Sequence, residues 1–336
     1  MQQRSRVTIN DVARTAGVSV ATVSKVINGR YGVALATSAK VQEVIDDLGY
    51  ESSLVARSLR STRTNVIGVL VAEFEPFSTE LLKGISRAIG GTGYELLAYS
   101  GGGRAGGNVG WERRYLSRLS GTLIDGAILV TPTVVDADSH VPVVAVDPHT
   151  GPSGLPTVDS DNLRGAVLAT EHLLALGHRR IGFLGGRTDL ESARLREEGY
   201  RAALRSAGIP VDESLVRVGG YRPETADQPA HELLTMPDRP TAIFAANDLS
   251  AIRTMEVARE LGMTVPDDVS VIGFDNVPES ATTTPPLTTI NQPIRRMGEE
   301  ALRLLVGLMD DSDAVGRATH VTLPTELVER SSCRAL

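Results

Sequence analysis

VTINDVARTAGVSVATVSKVING, running from Val7 to Gly29, holds two short helical patterns on either side of Ala-Gly-Val-Ser. Thr8, with Asp11 three residues on, forms an aspartate variant of the capping box and opens the first helix. Ile9, Val12 and Ala13 then fall on one apolar stripe. Gly17 supplies the left-handed residue that a tight helix end demands, and Ser19 opens the second helix. Val23, Val26 and Ile27 are its buried side. A helix, a short glycine-containing turn and a second helix make the helix-turn-helix pattern. Off the core face of the second helix stand Val20, Ala21, Thr22, Ser24, Lys25 and Asn28. These side chains are short enough to enter a groove. Hydroxyls and an amide can bond phosphates, Lys25 can reach a phosphate or a guanine edge, and Val20 and Ala21 can touch thymine methyls. A third helix, roughly Ser38–Leu48, offers Val41, Val44, Ile45 and Leu48 to close a three-helix core.

Charge separates this head from the rest of the chain. Residues 1–63 carry nine Lys/Arg against five Asp/Glu, a net of +4, so the remainder holds −11 of the overall −7. A basic head on an acidic body suits a polyanion-binding module joined to a different function. The 336 residues suggest two or three domains. No run approaches the ~18 apolar residues that would span a bilayer, and MQQRSRVTIND lacks a secretory core, so the expectation is a cytoplasmic, nucleoid-associated protein without a membrane role. Cys333 is the one cysteine, which excludes an intrachain disulfide.

The stretch DVARTAGVSVATVSKVING, with GY at 49–50 and LVARSLRS at 54–61, resembles the DNA-binding head of the lactose/galactose-repressor family of bacterial transcriptional regulators. The match through AGVS-x-x-TVS is specific. That resemblance implies that Val20, Ala21 and Lys25 read bases, with Thr8, Ser19, Thr22, Ser24 and Asn28 also at the DNA. Lys25 stands where the family more often has Arg, and lysine lacks the planar fork for two bonds to guanine. In SSLVARSLRS, Val55, Ala56 and Leu59 share one face flanked by Arg57, Arg60 and Arg63. On residues alone this is a linker helix. The resemblance implies a hinge helix, paired across a dimer, with Ala56 and Leu59 in the minor groove and Leu59 prying open a central step. Glu51-Ser52-Ser53 replaces the Pro-Asn that often precedes this helix in the family.

After Arg63 the pattern becomes alternating strands and amphipathic helices, the mark of α/β architecture. Strands are expected at Val66–Val71, Glu95–Tyr99, Gly126–Val130, Val141–Val146, Arg180–Leu184, Ala242–Ala246, Val269–Phe274 and Leu287–Ile290, with helices such as Thr79–Ile89 and Leu249–Leu261 between. GHRRIGFLGG, FAANDLSA, VIGFDN and PPLTTINQP resemble the same family's sugar-binding-protein-like core, so the resemblance extends to TELVERSSC at 325–333. The fold class expected is therefore an all-α head plus an α/β body, a two-lobed periplasmic-binding-protein-like core of parallel sheets. Its divisions are a head at 1–50, a hinge at 51–63 and a core at 64–336. The first lobe takes about 64–158 and 293–320, the second about 159–290 and 321–333, with crossings near 159, 291 and 320.

Ligands in such sheets bind beyond the carboxyl ends of the strands. Those ends carry Asp147, Asn247, Asp248, Asp275 and Asn276, planar groups suited to gripping vicinal hydroxyls. Asp147, Asn247, Asp275 and Arg196 also match pocket positions of the family, Tyr221 falls where it often places an aromatic, and Phe77 lies in a pocket-lining loop. Each has a plainer use. Asn247 can cap a helix, Asp147 can start a turn before Pro148, Arg196 can be a solvated charge, and Tyr221 or Phe77 can be packing.

SGGGRAGG at 100–107 lacks the ending of a phosphate loop and reads as a surface loop. The histidines show no metal-ligand spacing, no GxSxG elbow occurs, and neither cofactor nor enzymatic activity is expected. The reading that results is a sequence-specific repressor. It binds a palindromic double-stranded operator as a homodimer and is released by a small carbohydrate in the interlobe cleft. SSCRAL supplies no heptad zipper for a tetramer. The alternatives are a purine- or corepressor-responsive regulator and a sugar receptor without a DNA role.

Overall fold

The computed structural model describes residues 7–27, 31–50, 63–101, 110–120, 122–133, 141–152, 154–310 and 319–336. They divide into two compact units, Met1–Thr64 and Asn65–Leu336. The hinge residues Ala56 and Leu59, Asn28 of the head, and most of the SGGGRAGG loop lie outside the described residues.

The first unit contains α1 (Ile9–Ala16), α2 (Val20–Ile27) and α3 (Leu35–Leu48). Val12, Ala13, Ala16, Val23 and Val41 form its core, with Ile9, Val26, Val44, Ile45 and Leu48 packed around them. The α1–α2 turn follows from Gly17, which adopts φ 68° and lets Val18 N–H reach Ala13 O at 3.0 Å. Asp11 accepts from the Thr8 N–H at 2.9 Å and from the Thr8 hydroxyl at 2.7 Å, and Ser19 Oγ accepts the Thr22 N–H at 3.1 Å. α3 begins three residues before the expected Ser38.

The second unit holds two six-stranded sheets. The first comprises β1 (Val66–Val71), β2 (Glu95–Ser100), β3 (Gly126–Val130), β4 (Val143–Val146), β5 (Thr157–Ser160) and β11 (His320–Leu323), in the order β11-β5-β4-β3-β1-β2, all parallel. Alternate residues of β1 serve opposite faces: Val66 and Leu70 join Trp111 and Leu116, whereas Ile67, Val69 and Val71 join Leu81, Ile85 and Leu305. The helices responsible are α4 (Pro76–Ala88), α5 (Trp111–Leu119) and α10 (Ile294–Asp310). The second sheet comprises β6 (Ile181–Gly185), β7 (Val216–Val218), β8 (Ala242–Ala245), β9 (Ser270–Asp275), β10 (Thr288–Asn291) and β12 (Glu326–Val328), in the order β12-β10-β9-β8-β6-β7, with β12 alone antiparallel. α6 (Asn162–Ala175) and α7 (Glu191–Ser206) cover one face, α8 (Pro223–Thr235) and α9 (Asp248–Glu260) the other.

Sheet membership moves two of the expected crossings. β5 includes Val158-Asp159-Ser160 and belongs to the first sheet, so the chain crosses at Asp161 rather than at 159. β11 likewise keeps His320–Leu323 in the first sheet, and the third crossing follows Leu323 rather than His320. The middle crossing lies between Asn291 and Ile294. No helix among the described residues is long and apolar enough to cross a membrane.

Candidate functional site

Two surfaces carry the expected functional residues, one in each unit. In the head, Val23 is fully buried, Val26 and Ile27 pack beside it, and the remaining residues of α2 lie off that core. Val20 is exposed, as are Ala21 and Lys25, while Thr22 and Ser24 are half-buried beside them. The outer face is thus small and polar apart from Val20 and Ala21. Tyr31 and Leu35, which the pattern did not single out, stand in solvent before and at the start of α3 at 101% and 91% exposure. The signal for them was in GRYGVALAT: two large apolar residues among small ones, with no helical stripe to bury them.

In the body, the carboxyl ends of β4 and β9 and the second turn of α7 bring Asp147, Asp275 and Arg196 together, with Tyr221 from the segment after β7. Arg196 is 3% exposed, and its guanidinium is held on several sides. Nε donates to Asn162 Oδ1 at 2.8 Å, and Nη1 donates to Ala246 O at 2.5 Å and to Asp275 Oδ1 at 3.3 Å. Its Cζ lies 3.9 Å from the Phe274 ring centroid and 5.4 Å from that of Tyr221. The solvated-charge use of Arg196 is therefore excluded. Gln292 Nε2 gives Asp275 Oδ1 a second bond at 2.6 Å.

Burial raises the Asp275 carboxyl to about 7, against the opposing pull of Arg196 and the Gln292 hydrogen bond. Burial likewise raises Asp147 to about 6, with Arg196 again opposing, and pushes the Tyr221 phenol up to about 12. Carboxylates with so little solvation are costly unless a donor comes to them. Among the described residues no well-formed hydrogen bond reaches the buried Tyr221 Oη, whose neighbour is the Ser192 hydroxyl. Its ring lies over Gly186, where an added Cβ would fall 2.2 Å from the ring carbon that bears the hydroxyl. Asp147, Tyr221 and Asp275 all take positive φ, at 47°, 69° and 116°. Such backbone is strained in non-glycine residues, and it gathers at sites where geometry serves a ligand.

Asn247 caps a helix and holds the backbone of Tyr221. Its Oδ1 caps α9 through the Ser250 N–H at 3.0 Å, and its Nδ2 holds the Tyr221 carbonyl at 3.0 Å. Phe77 is half-buried against the core of the first lobe, and no hydrogen bond or ring contact joins it to the group around Arg196. Asp248 is fully buried, takes Thr289 Oγ1 at 2.5 Å and the Val277 N–H at 2.9 Å, and is structural. Glu75, whose carboxyl burial also raises, faces Asp275 from the α4 start and went unread in the sequence, as did Asn162 and Gln292.

Further contacts join the two lobes. Glu73 of the first lobe pairs with Arg222 of the second at 2.7 Å. His149 O accepts the Glu191 N–H at 2.9 Å, and His149 Nδ1 lies 3.4 Å from Asp189 Oδ2. Among the described residues no group of three His, Cys, Asp or Glu is placed to hold a metal ion.

Comparison with known proteins matches residues 8–53 to "Bacterial regulatory proteins, lacI family" and residues 170–333 to a "Periplasmic binding protein-like domain". The chain is 38% identical to the HTH-type transcriptional repressor PurR of Photobacterium profundum, over 98% of this chain and 99% of that one. It is 37% identical to the ribose operon repressor of Escherichia coli, over 89% and 92% respectively. Among solved structures it resembles the Lac repressor dimer bound to operator and the anti-inducer ONPF, with a TM-score of 0.82, 29% identity, and coverage of 98% of this chain and 100% of that one.

Proposed function

Because this chain belongs to the lacI family of bacterial regulatory proteins, as a DNA-binding transcriptional repressor, we propose that it binds a near-palindromic operator as a homodimer and is released by a small carbohydrate held between its lobes. The observation that carries the effector reading is the convergence of Asp147, Arg196, Asp275 and the buried Tyr221 hydroxyl at the strand ends. A polyol suits these groups: further hydroxyl donors for two poorly solvated carboxylates, an acceptor for the phenol, and an apolar ring face for the aromatic.

On this reading Val20, Ala21 and Lys25 meet base edges, and Thr22 and Ser24 fix register on the backbone. Ala56 and Leu59 act at the centre of the site. An effector acts only through differential affinity for the DNA-competent arrangement. Binding that favours the other arrangement weakens the hold on operator. A second reading, a purine that strengthens DNA binding, is favoured by the 38% identity to PurR.

The test is thermal unfolding of the full chain with D-ribose, cellobiose, lactose, hypoxanthine and guanine. A ligand at ~100 times its Kd adds about 2.7 kcal/mol, or roughly 5–10 °C for a domain this size. Operator sequences selected from random DNA then give the sign. A sugar that stabilises the protein and weakens operator binding supports the first reading. A purine that stabilises it and tightens binding supports the second. No shift with any of the five contradicts both.

A further inference from the structure

Glu73 and Glu75 of the first lobe meet Arg222 of the second. The two acids belong to the segment between β1 and α4, which is held at its start by the Ser100 hydroxyl donating to Ala72 O at 3.1 Å. Arg222 follows Tyr221 and precedes α8, and its backbone is pinned within the second lobe. Asn247 Nδ2 holds Tyr221 O at 3.0 Å, and Arg222 O accepts the Ala226 N–H at 2.9 Å. From that anchor Arg222 Nη2 reaches to 2.7 Å from Glu73 Oε2. The same guanidinium opposes the upward push that burial gives the Glu75 carboxyl, a push to which Glu73 adds. One cation thus answers two acids, and the two ends of the pair stand on backbone fixed in different lobes.

The pair is placed where it can give way. The Arg222 and Glu73 side chains are 44% and 31% exposed, so water and salt compete for both. A pair of this kind shifts an equilibrium by a factor of roughly two to five, which biases a choice between arrangements without fixing it. The arrangement that forms it also assembles the cleft, because Ser192 and Arg196 of the second lobe reach Asp147 of the first. A molecule gripped by Asp147 together with Arg196 therefore favours the same arrangement as the Glu73–Arg222 pair.

We propose that Glu73 and Arg222 form a latch that holds the lobes in this arrangement before any effector binds, and so sets what fraction of the free chain is ready to receive one. Two consequences follow from linkage. Breaking the pair weakens effector binding by the fraction of ready chains lost. It also moves the operator affinity of the free chain against the direction in which the effector moves it. These consequences rest on the effector reading of the cleft, whereas the latch itself is tested without a ligand.

The reporter is another junction of the lobes, the Glu191 N–H that His149 O accepts at 2.9 Å. Its exchange with solvent follows the opening of that junction. Measured by NMR on the deuterated full chain, Glu73→Gln speeds exchange of the Glu191 amide roughly two- to fivefold. Arg222→Gln does the same, and the double variant is no faster than the faster single. Arg222→Lys, which keeps the cation, restores most of the protection. Amides inside β1 and β8 keep their rates, which shows that both lobes stay folded. A Glu191 amide that exchanges at the wild-type rate in folded Glu73→Gln overturns the latch, and so do single effects that multiply in the double variant. If the rates move as expected but none of D-ribose, cellobiose, lactose, hypoxanthine and guanine stabilises the protein, the latch stands and the effector reading fails. If one of them stabilises it and the Glu191 rate does not move, the effector reading stands and the latch is wrong.

Discussion

The head and the cleft use buried and exposed positions in opposite ways. Among the described residues of the head every fully buried one is apolar, and Val20, Ala21, Thr22, Ser24 and Lys25 stand outside that core. In the cleft the working groups are themselves buried: Arg196, Asp275 and Asn247 are between 3% and 7% exposed. A module that meets a polyanion in water gains from charges that stay solvated until contact. A module that must discriminate a small neutral molecule gains from polar groups already stripped of water, because leaving them unpaired is costly and only the right ligand pairs them. The difference makes the head tolerant of polar change on its surface, and the cleft sensitive to pH.

The largest effect separates the two regions outright. Val23→Asp places an unpaired charge in a core built around five buried residues, at a cost beyond about 4 kcal/mol. Operator binding should fall more than a hundredfold by fluorescence anisotropy, while the main unfolding transition of the body stays in place. If the body transition also collapses, the two units are not separately stable and the comparison breaks.

Next is Arg196→Met. It removes the cation between Asp275 and Asp147 and leaves buried carboxylates without compensation, for a loss of about 3–5 kcal/mol. Calorimetry should show the body melting roughly 10 °C lower, with the compound that stabilises wild type giving no shift.

The pH dependence follows in size. Asp275 and Asp147 are raised to about 7 and about 6. A raised carboxyl contributes stability that is full below its ordinary value near 3.8 and is lost as pH rises through the folded value. Burial depresses His149, His172 and His178, which act in the opposite sense over the same range. The clean reading is therefore the wild-type Tm minus that of Asp275→Asn between pH 5 and 8. That difference should fall as pH rises; a flat difference would remove the charge argument for the cleft. A hydroxyl ligand favours the ionised carboxylates, so its affinity should strengthen over the same interval.

The smallest effect sharpens the head. Gly17→Ala meets no atom within 4 Å, but keeps φ 68°, so only the backbone cost of about 1 kcal/mol applies. A lower head transition with an unchanged operator preference is expected by circular dichroism and sequence selection.

Legibility followed the same division. The head could be read in detail because capping, the glycine turn and the apolar stripe are local: Thr8, Gly17 and Val23 do in the structure what their spacing implies. In the body the buried runs such as Val66–Val71 stood out, whereas β5, β7, β11 and β12 did not. These have three or four residues each and depend on neighbours far along the chain. The crossing after β5 falls at Asp161, just past the expected 159, for that reason. Strand-end logic singled out Asp147, Asn247 and Asp275, and the structure groups Asp147 and Asp275 around Arg196. It could not find Gln292, Asn162 or Glu75, because a single polar residue in a loop carries no signal until the fold brings 160, 196, 275 and 292 together.

The central claim is that a molecule held by Asp275 and Arg196 sets the affinity for operator. Its most direct test is operator binding by the full chain, followed by anisotropy at fixed salt. Wild type and Asp275→Asn are compared with each compound that raises the Tm of wild type. The account predicts that such a compound changes wild-type operator affinity at least tenfold, and that Asp275→Asn binds operator normally but ignores the compound. Equal responses in the two proteins, or a stabilising compound that leaves operator affinity untouched, would contradict it.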